Sequence, residues 1–137
     1  MSKSRRLSTA IHILTALAHG VGRLTSSDEL AMGLRANPAL VRRILSRLVK
    51  HGLVESHPGK GGGSRLARPA SKIGLDEVYA AVKEGPLFAT FEKEPLAACP
   101  ISCNMGEVLE DLYSDLEGDL VKKMKRIKVD DLLERMT

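Results

Sequence analysis

The sequence predicts a mainly α-helical fold with one small β-hairpin and a long helix near its C-terminal end. Three observations support this prediction. Apolar residues recur at helical spacing in the first 50 residues, a glycine-rich segment separates two short alternating segments, and a second helical repeat follows residue 104. Of the 137 residues, 43% are hydrophobic and only 3% are aromatic, so Leu, Ile, Val, Ala and Met must form the core. This length fits one compact domain with one appended element.

The first predicted helix runs from about Arg5 to His19 and ends at Gly20. Its apolar residues recur at helical spacing and are Leu7, Ile11, Leu14, Ala18 and Val21. The basic start also resembles a secretory signal, but the polar residues between the apolar positions favour an amphipathic helix. No segment approaches the roughly 20 apolar residues that span a bilayer. With two cysteines and no targeting segment, the sequence is typical of a protein of the reducing cytoplasm.

Two short helices joined by a tight turn come next. Ser26 and Glu29 have the spacing of a capping box, and Asn37 is a favourable N-cap before Pro38. The apolar residues of the third helix form one stripe, which consists of Leu40, Val41, Ile44, Leu45 and Leu48. The polar and basic residues outside that stripe are Arg42, Arg43, Ser46, Arg47 and Lys50. This arrangement predicts a helix-turn-helix with a basic outer face.

A glycine-tipped hairpin is predicted directly after these helices. The segments "LVESH" and "SRLARP" can alternate as two strands around "PGKGGG", residues 58–63. A nucleotide-binding loop would need a lysine and a hydroxyl after the last glycine at the start of a helix. Here Lys60 precedes the glycines and a strand-like segment follows them, so we reject that alternative. A helix-turn-helix followed by such a hairpin is a winged helix, whose small glycine tip can approach a phosphate backbone.

The C-terminal region predicts a long amphipathic helix and a short one. From Asn104 to about Arg126 the apolar residues recur every three to four positions, at Met105, Leu109, Leu112, Leu116 and Leu120. A stripe of this length favours packing across a two-fold axis, which predicts a homodimer, although packing on its own domain is an alternative. The last segment, "VDDLLERM", is expected to cap that assembly with Leu132, Leu133 and Met136.

Charge is distributed unevenly along the chain. Residues 1–72 contain 13 Lys and Arg against 3 Asp and Glu, whereas residues 73–137 contain 8 against 14. This asymmetry indicates a basic half that meets a polyanion, although two solvated faces without a partner would also explain it. No Ser, Cys or His has the neighbours of a catalytic nucleophile or base, so the sequence does not predict an enzyme.

The motifs together resemble the Rrf2 family of bacterial winged-helix regulators. The resemblance rests on "NPALVRRILSRLVKHGLVESHPGKGGGSRLARP" and "IGLDEVYAAVKEG" and covers nearly the whole chain. It implies a homodimer that binds palindromic promoter DNA, with the third helix in the major groove and the wing in the minor groove. Members of the family include an iron–sulfur cluster regulator and repressors that respond to nitric oxide or to cysteine metabolism.

The resemblance implies a set of DNA-binding residues on the third helix and the wing. The predicted set is Asn37, Ala39, Arg42, Arg43, Arg47, Lys60, Gly61, Gly62, Gly63 and Arg65. Arg42 and Arg43 fall where family members have polar base readers. The family usually has an arginine where this chain has Pro58 and an aromatic residue where it has Ser64, so Lys60 or Arg65 would substitute as phosphate contacts.

Three regions follow from these predictions. Residues 1–85 are the winged helix-turn-helix DNA-binding domain, residues 86–103 are a sensor loop, and residues 104–137 are the dimerisation helix with the cap helix. Pro86, Pro95 and Pro100 favour a loop in the middle region, and the resemblance implies that the sensor lies there.

The loop contains Cys99 and Cys103, for which three roles stay open. We expect a redox switch in which Cys103, at the positive end of the long helix, is the more reactive thiol. An iron–sulfur cluster held with His12 is an alternative, but family members with a cluster typically present three cysteines, and a cluster normally requires four ligands. The third possibility is packing without chemistry. "CPISC" has no second pair of ligands for zinc, so we predict no metal site. For the chain as a whole, a winged helix that binds only proteins is the remaining alternative function.

Overall fold

The computed structural model describes residues 4–91, 93 and 98–137. In chain order these residues form α1 (Arg6–His19), α2 (Ser27–Leu34), α3 (Pro38–Lys50), β1 (Val54–His57), β2 (Gly63–Leu66), a 3₁₀ turn (Ala70–Lys72), α4 (Leu75–Val82), α5 (Pro100–Lys125) and α6 (Val129–Glu134). The predicted fold class is therefore confirmed. The chain divides into two compact units, one formed by the residues up to Lys83 together with Met124–Thr137, the other by Glu84–Lys123.

The core of the first unit is aliphatic and is shared by several helices. Its largest fully buried side chains are Ile13, Leu14, Val41, Ile44, Leu48, Leu53, Ile73, Val78 and Val82. They come from α1, α3 and α4 and from the segments between α3 and α4. Burial of this apolar surface is the main stabilising contribution to the winged helix.

The buried face of α1 differs in part from the predicted stripe. Val21 is 80% exposed, because the helix ends before it, whereas Ile13 and Leu17 are buried outside that stripe. Thr15 is also buried, and its hydroxyl donates to the carbonyl oxygens of Ile11 and His12 at 2.8 and 3.0 Å. The buried face is wide because α1 packs against α3, α4 and α6.

The turn between α2 and α3 is fixed by local backbone geometry. Ser26 accepts a hydrogen bond from the Glu29 N–H at 3.1 Å, as predicted, but the Glu29 carboxylate bonds Arg23 instead of completing the capping box. Helix α2 ends at Arg35, whose φ of 54° lies in the left-handed region. This conformation is unusual for a residue other than glycine, and it turns the chain so that α3 can begin three residues later.

The wing is a two-stranded antiparallel hairpin, as predicted. Ser56 faces Ser64 and Glu55 faces Arg65 across it. The backbone of Thr25 extends the hairpin on the outer side of β2, with hydrogen bonds of 3.0 and 2.8 Å to Ser64. The hairpin is thereby attached to the segment before α2, which fixes the wing relative to the helix-turn-helix.

The C-terminal helix α6 belongs to the winged-helix unit. Val129 is buried in the winged-helix core and Leu133 packs against it, whereas Met136 is 62% exposed. The predicted role of this helix as a cap on a dimer stays a prediction. The Val129 N–H donates to Ile73 at 3.0 Å, and the Leu75 N–H donates to Ile127 at 2.8 Å. These bonds join the segment before α6 to the segment before α4, so α6 packs on α1.

The long helix α5 begins earlier than predicted. Its first residue is Pro100, so Cys103 lies in the first turn and not in a loop, and Asn104 is a helical residue whose amide donates to the Pro100 carbonyl at 2.6 Å. Asn104 is therefore not the N-cap. In the second unit, the rings of Phe88 and Tyr113 lie 5.1 Å apart. The predicted loop residue Pro95 lies outside the described residues.

No helix within the described ranges combines the length and the apolar character that crossing a membrane would require.

Candidate nucleic-acid interface

Helix α3 presents a basic surface, as its sequence pattern predicts. Its buried residues are Val41, Ile44, Leu45 and Leu48, whereas Arg42, Arg43, Ser46 and Lys50 are exposed and Arg47 is half-buried. The exposed cations point away from the core because the apolar stripe holds one side of the helix against α1 and α4. This surface can supply guanidinium groups to base edges or phosphates.

The start of α3 uses Asn37 for a structural purpose. The Asn37 side-chain oxygen accepts a hydrogen bond from the Ala39 N–H at 2.8 Å, and Pro38 occupies the first helical position. That oxygen is committed to the helix cap, although the side-chain amide nitrogen stays available. Ala39 is exposed at the first turn. Both residues lie where the sequence predicts them, and their contacts with DNA stay predictions.

The glycines of the wing are required for different physical reasons. A Cβ on Gly62 would collide with the carbonyl of His57, and a Cβ on Gly63 would lie 2.8 Å from the backbone of Thr25. These two glycines therefore permit close contacts within the protein itself. Gly61 has a φ of +77° and open space around it, and Lys60 is exposed beside it at the tip. This outer part of the tip is open, and the phosphate approach that the sequence predicts there stays a prediction.

Arg65 lies on the other face of the hairpin. Because side chains alternate along a strand, Glu55 and Arg65 point to the opposite side from Ser56 and Ser64. The Arg65 Nε donates to Glu55 at 3.0 Å, and His57 lies 3.7 Å from the same carboxylate. The Arg65 guanidinium lowers the pKa of the Glu55 carboxyl below its ordinary value. Arg65 already has an anionic partner, which weakens its case as a phosphate contact.

A crevice separates α3 from the wing. It has a volume of about 530 Å³ and is lined by the start of α2, the outer side of α3 and the inner side of the hairpin. Arg42 and Lys50 lie on one wall. The lining also contains five serines, which are Ser26, Ser27, Ser46, Ser56 and Ser64. This serine cluster was not predictable from the sequence, because its members come from four separate segments that only the fold brings together.

The two cysteines are both exposed and free. Cys99 immediately precedes α5, and hydrogen bonds from the backbone N–H groups of Ser102 and Ile101 and from the Ser102 side chain lower the pKa of its thiol. Cys103 instead donates its S–H to the Pro100 carbonyl at 3.5 Å. The early start of α5 places Cys99, and not Cys103, at the positive end of the helix, and the redox roles of the two thiols stay predictions.

The cysteines do not fit a cluster site within one chain. The sequence has two cysteines, and in the part of the chain that the structure describes no three His, Cys, Asp or Glu side chains gather as metal ligands. Since iron–sulfur clusters normally take four ligands, mostly thiolates, the residues present do not fit this group, and no step is assigned to it.

Helix α2, helix α3 with its basic exposed face, and the hairpin wing together define a winged helix-turn-helix protein of the DNA-binding class. The family model described as "Rrf2: Iron-dependent Transcriptional regulator" matches residues 3–135. The chain therefore belongs to the Rrf2 family of transcriptional regulators, which are not enzymes, and the resemblance seen in the sequence is confirmed.

Individual relatives agree with this assignment. YwnA of Bacillus subtilis (strain 168), named as an HTH-type transcriptional regulator, is 32% identical over 132 residues that cover 96% of each chain. YwgB of the same organism is 31% identical and covers 93% of this chain and 86% of its own. A transcriptional regulator of Lactobacillus plantarum is 26% identical, with a TM-score of 0.81 over 96% of this chain and 89% of that one. CymR, named the global cysteine regulator of B. subtilis, shares the fold, with a TM-score of 0.68 at 19% identity and 98% coverage of each chain.

Proposed function

We propose that the protein is a cytoplasmic, homodimeric transcriptional repressor that binds pseudo-palindromic promoter DNA. The observation that carries this proposal is the exposed basic surface of α3 beside the wing. In this arrangement α3 enters the major groove, Arg42 and Arg43 read base edges, and Lys60 contacts a phosphate. A dimer bound across a promoter competes with RNA polymerase for the same DNA, which is the reason we propose repression.

The exposed face of α5 supports the homodimer. In the single chain, Ile101, Val108, Leu112 and Leu116 are 44–67% exposed and recur every three to four residues or at a multiple of that spacing. An apolar stripe of this kind on a 26-residue helix is typical of a partner surface. A second copy of the same helix buries it symmetrically, and the dimer then sets the distance between the two α3 helices.

Substitution of the arginines tests DNA reading. Arg42→Ala and Arg43→Ala should each cost about 1–3 kcal/mol on a selected operator and relax its sequence preference. Lys60→Ala should weaken binding to all DNA sequences alike and reduce the salt dependence of the DNA affinity. Arg135→Ala, which removes an exposed arginine beyond α6, is the matched control. Full affinity and selectivity in both α3 variants would exclude α3 as the reading helix.

The thiols support a redox switch as the sensing function. The Cys99 thiolate would attack a peroxide oxygen, which gives a sulfenic acid and releases hydroxide. The Cys103 thiol would then displace water and form the disulfide. The Cys103 N–H donates to the Cys99 carbonyl at 2.9 Å, so the first turn of α5 separates the two residues. A disulfide must bring their Cβ atoms to about 3.5–4.5 Å. Oxidation therefore requires the first turn of α5 to unwind, which would alter the dimer helix and lower DNA affinity.

Alkylation rates test this switch. Cys99 should react with iodoacetamide faster than Cys103, and peroxide should lower operator affinity reversibly in the wild type but not in Cys99→Ser. Equal operator affinity of the oxidised wild type and the double serine variant would leave the thiols without a sensing role.

A coloured protein after anaerobic purification, bleached by His12→Ala, would favour the iron–sulfur alternative. Absence of salt-dependent retention on random duplex DNA would favour a module that binds only proteins.

A further inference from the structure

We propose that a second crevice of the winged-helix unit binds a small zwitterion, an α-amino acid with an apolar side chain. This α6 crevice lies between the end of α1, residues 65–71 and α6, and its volume is about 540 Å³. A volume of this size is within the range of small-molecule clefts. Binding of the ligand does not rest on the proposed function, whereas its effect on DNA affinity does.

The floor of the α6 crevice is apolar. Leu17 is only 2% exposed, and Leu66 and Leu133 are partly buried and pack against the core. Val21 also lines the crevice, and its side chain stays largely in solvent beside this floor. Because burial of such groups is favourable, the crevice suits a ligand with an aliphatic part that covers them.

The crevice contains one acid that the fold does not use for an ion pair. Asp130 lies in the first turn of α6 and is half-buried. Within the described residues its carboxylate has no ion pair and no side-chain hydrogen bond, whereas the neighbouring Asp131 accepts a bond from the Lys128 N–H at 2.9 Å. The Asp130 carboxylate can therefore accept charge-assisted hydrogen bonds from the ammonium group of a ligand.

Two arginines that line the crevice supply the opposite charge. Arg68 uses its two terminal nitrogens within the protein, with bonds of 3.2 Å to the Lys72 carbonyl and 2.7 Å to Glu77. Arg65 donates to Glu55 through its Nε at 3.0 Å, and the terminal nitrogens of its guanidinium remain as donors. Arg65 is therefore the residue that can bind the carboxylate of a ligand.

Charges of both signs at one apolar crevice favour a ligand that carries both. A simple carboxylic acid would leave Asp130 without a partner, and a simple amine would leave the Arg65 terminal nitrogens without one. An α-amino acid presents an ammonium and a carboxylate group together with a side chain for the apolar floor. This match between the ligand's charges and those of the crevice is the observation that identifies the ligand class.

The position of the crevice connects such a ligand to the wing. Arg65 and Leu66 belong to β2, whereas Leu17 belongs to α1 and Leu133 to α6. A ligand that contacts all of these elements would hold the second strand of the wing against the two helices. If the wing contacts DNA, occupancy of the crevice and DNA affinity are then linked, and each changes the other by the same factor.

Isothermal titration calorimetry of the wild-type protein with matched ligands tests the site. The probes are L-valine, L-leucine and L-methionine, together with two analogues that keep the leucine side chain. Isocaproate lacks the ammonium group, and isoamylamine lacks the carboxylate. We expect at least one of the amino acids to bind, and each analogue to bind about tenfold more weakly than leucine, because each loses one charge-assisted contact.

Substitutions assign the two charges to residues. Asp130→Asn should weaken leucine binding about tenfold and leave isocaproate binding unchanged, since isocaproate has no ammonium group. Arg65→Gln should weaken the binding of both. Glu134→Gln is the matched control, because Glu134 is an exposed acid of the same helix and does not line the crevice. If Asp130→Asn unfolds, the comparison of ligands on the wild type decides alone.

The outcomes separate this inference from the proposed function. If the wild type binds none of the three amino acids, or binds leucine and isocaproate equally, the zwitterion site is overturned, even where DNA binding is intact. The affinity for a labelled duplex is then measured with and without saturating leucine, and equal affinities would overturn the link to the wing while the site stands. If the wild type binds no DNA, the proposed function fails and calorimetry alone decides the inference.

Discussion

Replacement of Gly63 by alanine should displace the wing from the rest of the winged helix. The added Cβ would lie 2.8–2.9 Å from three backbone atoms of Thr25, whereas ordinary contacts begin at 3.4 Å. The neighbouring atoms belong to backbone and cannot rotate away. Relief of the overlap therefore requires the Thr25 segment and β2 to separate by several tenths of an ångström, which stretches the two Thr25–Ser64 hydrogen bonds of 3.0 and 2.8 Å.

The expected loss of stability follows from these contacts. Two backbone hydrogen bonds contribute about 0.5–1.5 kcal/mol each. Alanine at a φ of +156° adds a backbone cost of about 1 kcal/mol. The free energy of unfolding should therefore fall by about 2–4 kcal/mol. For a chain of this size, at about 3–4 °C per kcal/mol, the Tm should fall by roughly 6–16 °C.

Urea unfolding followed by circular dichroism measures this change, and Gly61→Ala is the matched control. Gly61 also has a positive φ, of +77°, but an added Cβ meets nothing within 4 Å. The free energy of unfolding of Gly61→Ala should fall only by the backbone cost, about 1 kcal/mol. Equal losses in the two variants would refute the packing argument, because backbone conformation alone would then explain both glycines.

Further predictions concern the helix-turn-helix, the link to α4 and the dimer. Arg35→Gly should raise the free energy of unfolding by about 1 kcal/mol in urea titrations, because glycine adopts the φ of 54° without strain, and an unchanged midpoint would contradict this. Burial opposes ionisation of Glu77, but hydrogen bonds from Arg68 and the Gly74 N–H and the nearby Arg68 and Lys128 charges outweigh it, so the pKa of Glu77 is lowered. Its stabilisation is present above the ordinary carboxyl pKa and is lost as pH falls through the lowered value. The stability difference between wild type and Glu77→Gln should thus be about 0.5 kcal/mol at neutral pH and disappear as pH falls below the lowered pKa of Glu77. Leu112→Asp should give a monomer or an aggregate in sedimentation velocity, since it would place an unpaired charge in the dimer interface, and a monomeric wild type would exclude that interface.

The winged helix was predictable from the sequence because its signals are local. Asn37 and Pro38 start α3, the apolar stripe and the outward arginines follow from the helical period, and the glycine cluster indicates the hairpin. The roles of Gly62 and Gly63 were not predictable, because they depend on the approach of His57 and Thr25 in space. A glycine cluster in a sequence indicates tight turns or close backbone contacts, but it does not identify the atoms that lie close to each glycine.

The C-terminal part was harder to predict for the same reason. The apolar stripe of α5 has the expected helical period, but the helix begins at Pro100, earlier than predicted. Cys99, and not Cys103, therefore lies at the start of the helix. Helix α6 is short and amphipathic, and nothing in its six residues distinguishes packing on a partner from packing on α1. The hydrogen bonds from Val129 to Ile73 and from Leu75 to Ile127 attach α6 to its own winged-helix unit, and they join residues more than 50 positions apart.

Selection of duplex DNA from a random pool by the purified wild-type protein tests whether a dimer reads base sequence with α3. We expect enrichment of a two-fold symmetric sequence whose half-sites lie about one helical turn or a multiple of it apart. We also expect Arg42→Ala and Arg43→Ala to enrich the same spacing with a relaxed base preference in each half-site. Failure of the wild-type protein to enrich any sequence, or selection of an identical sequence by the arginine variants, would contradict the assignment of α3 as the reading helix.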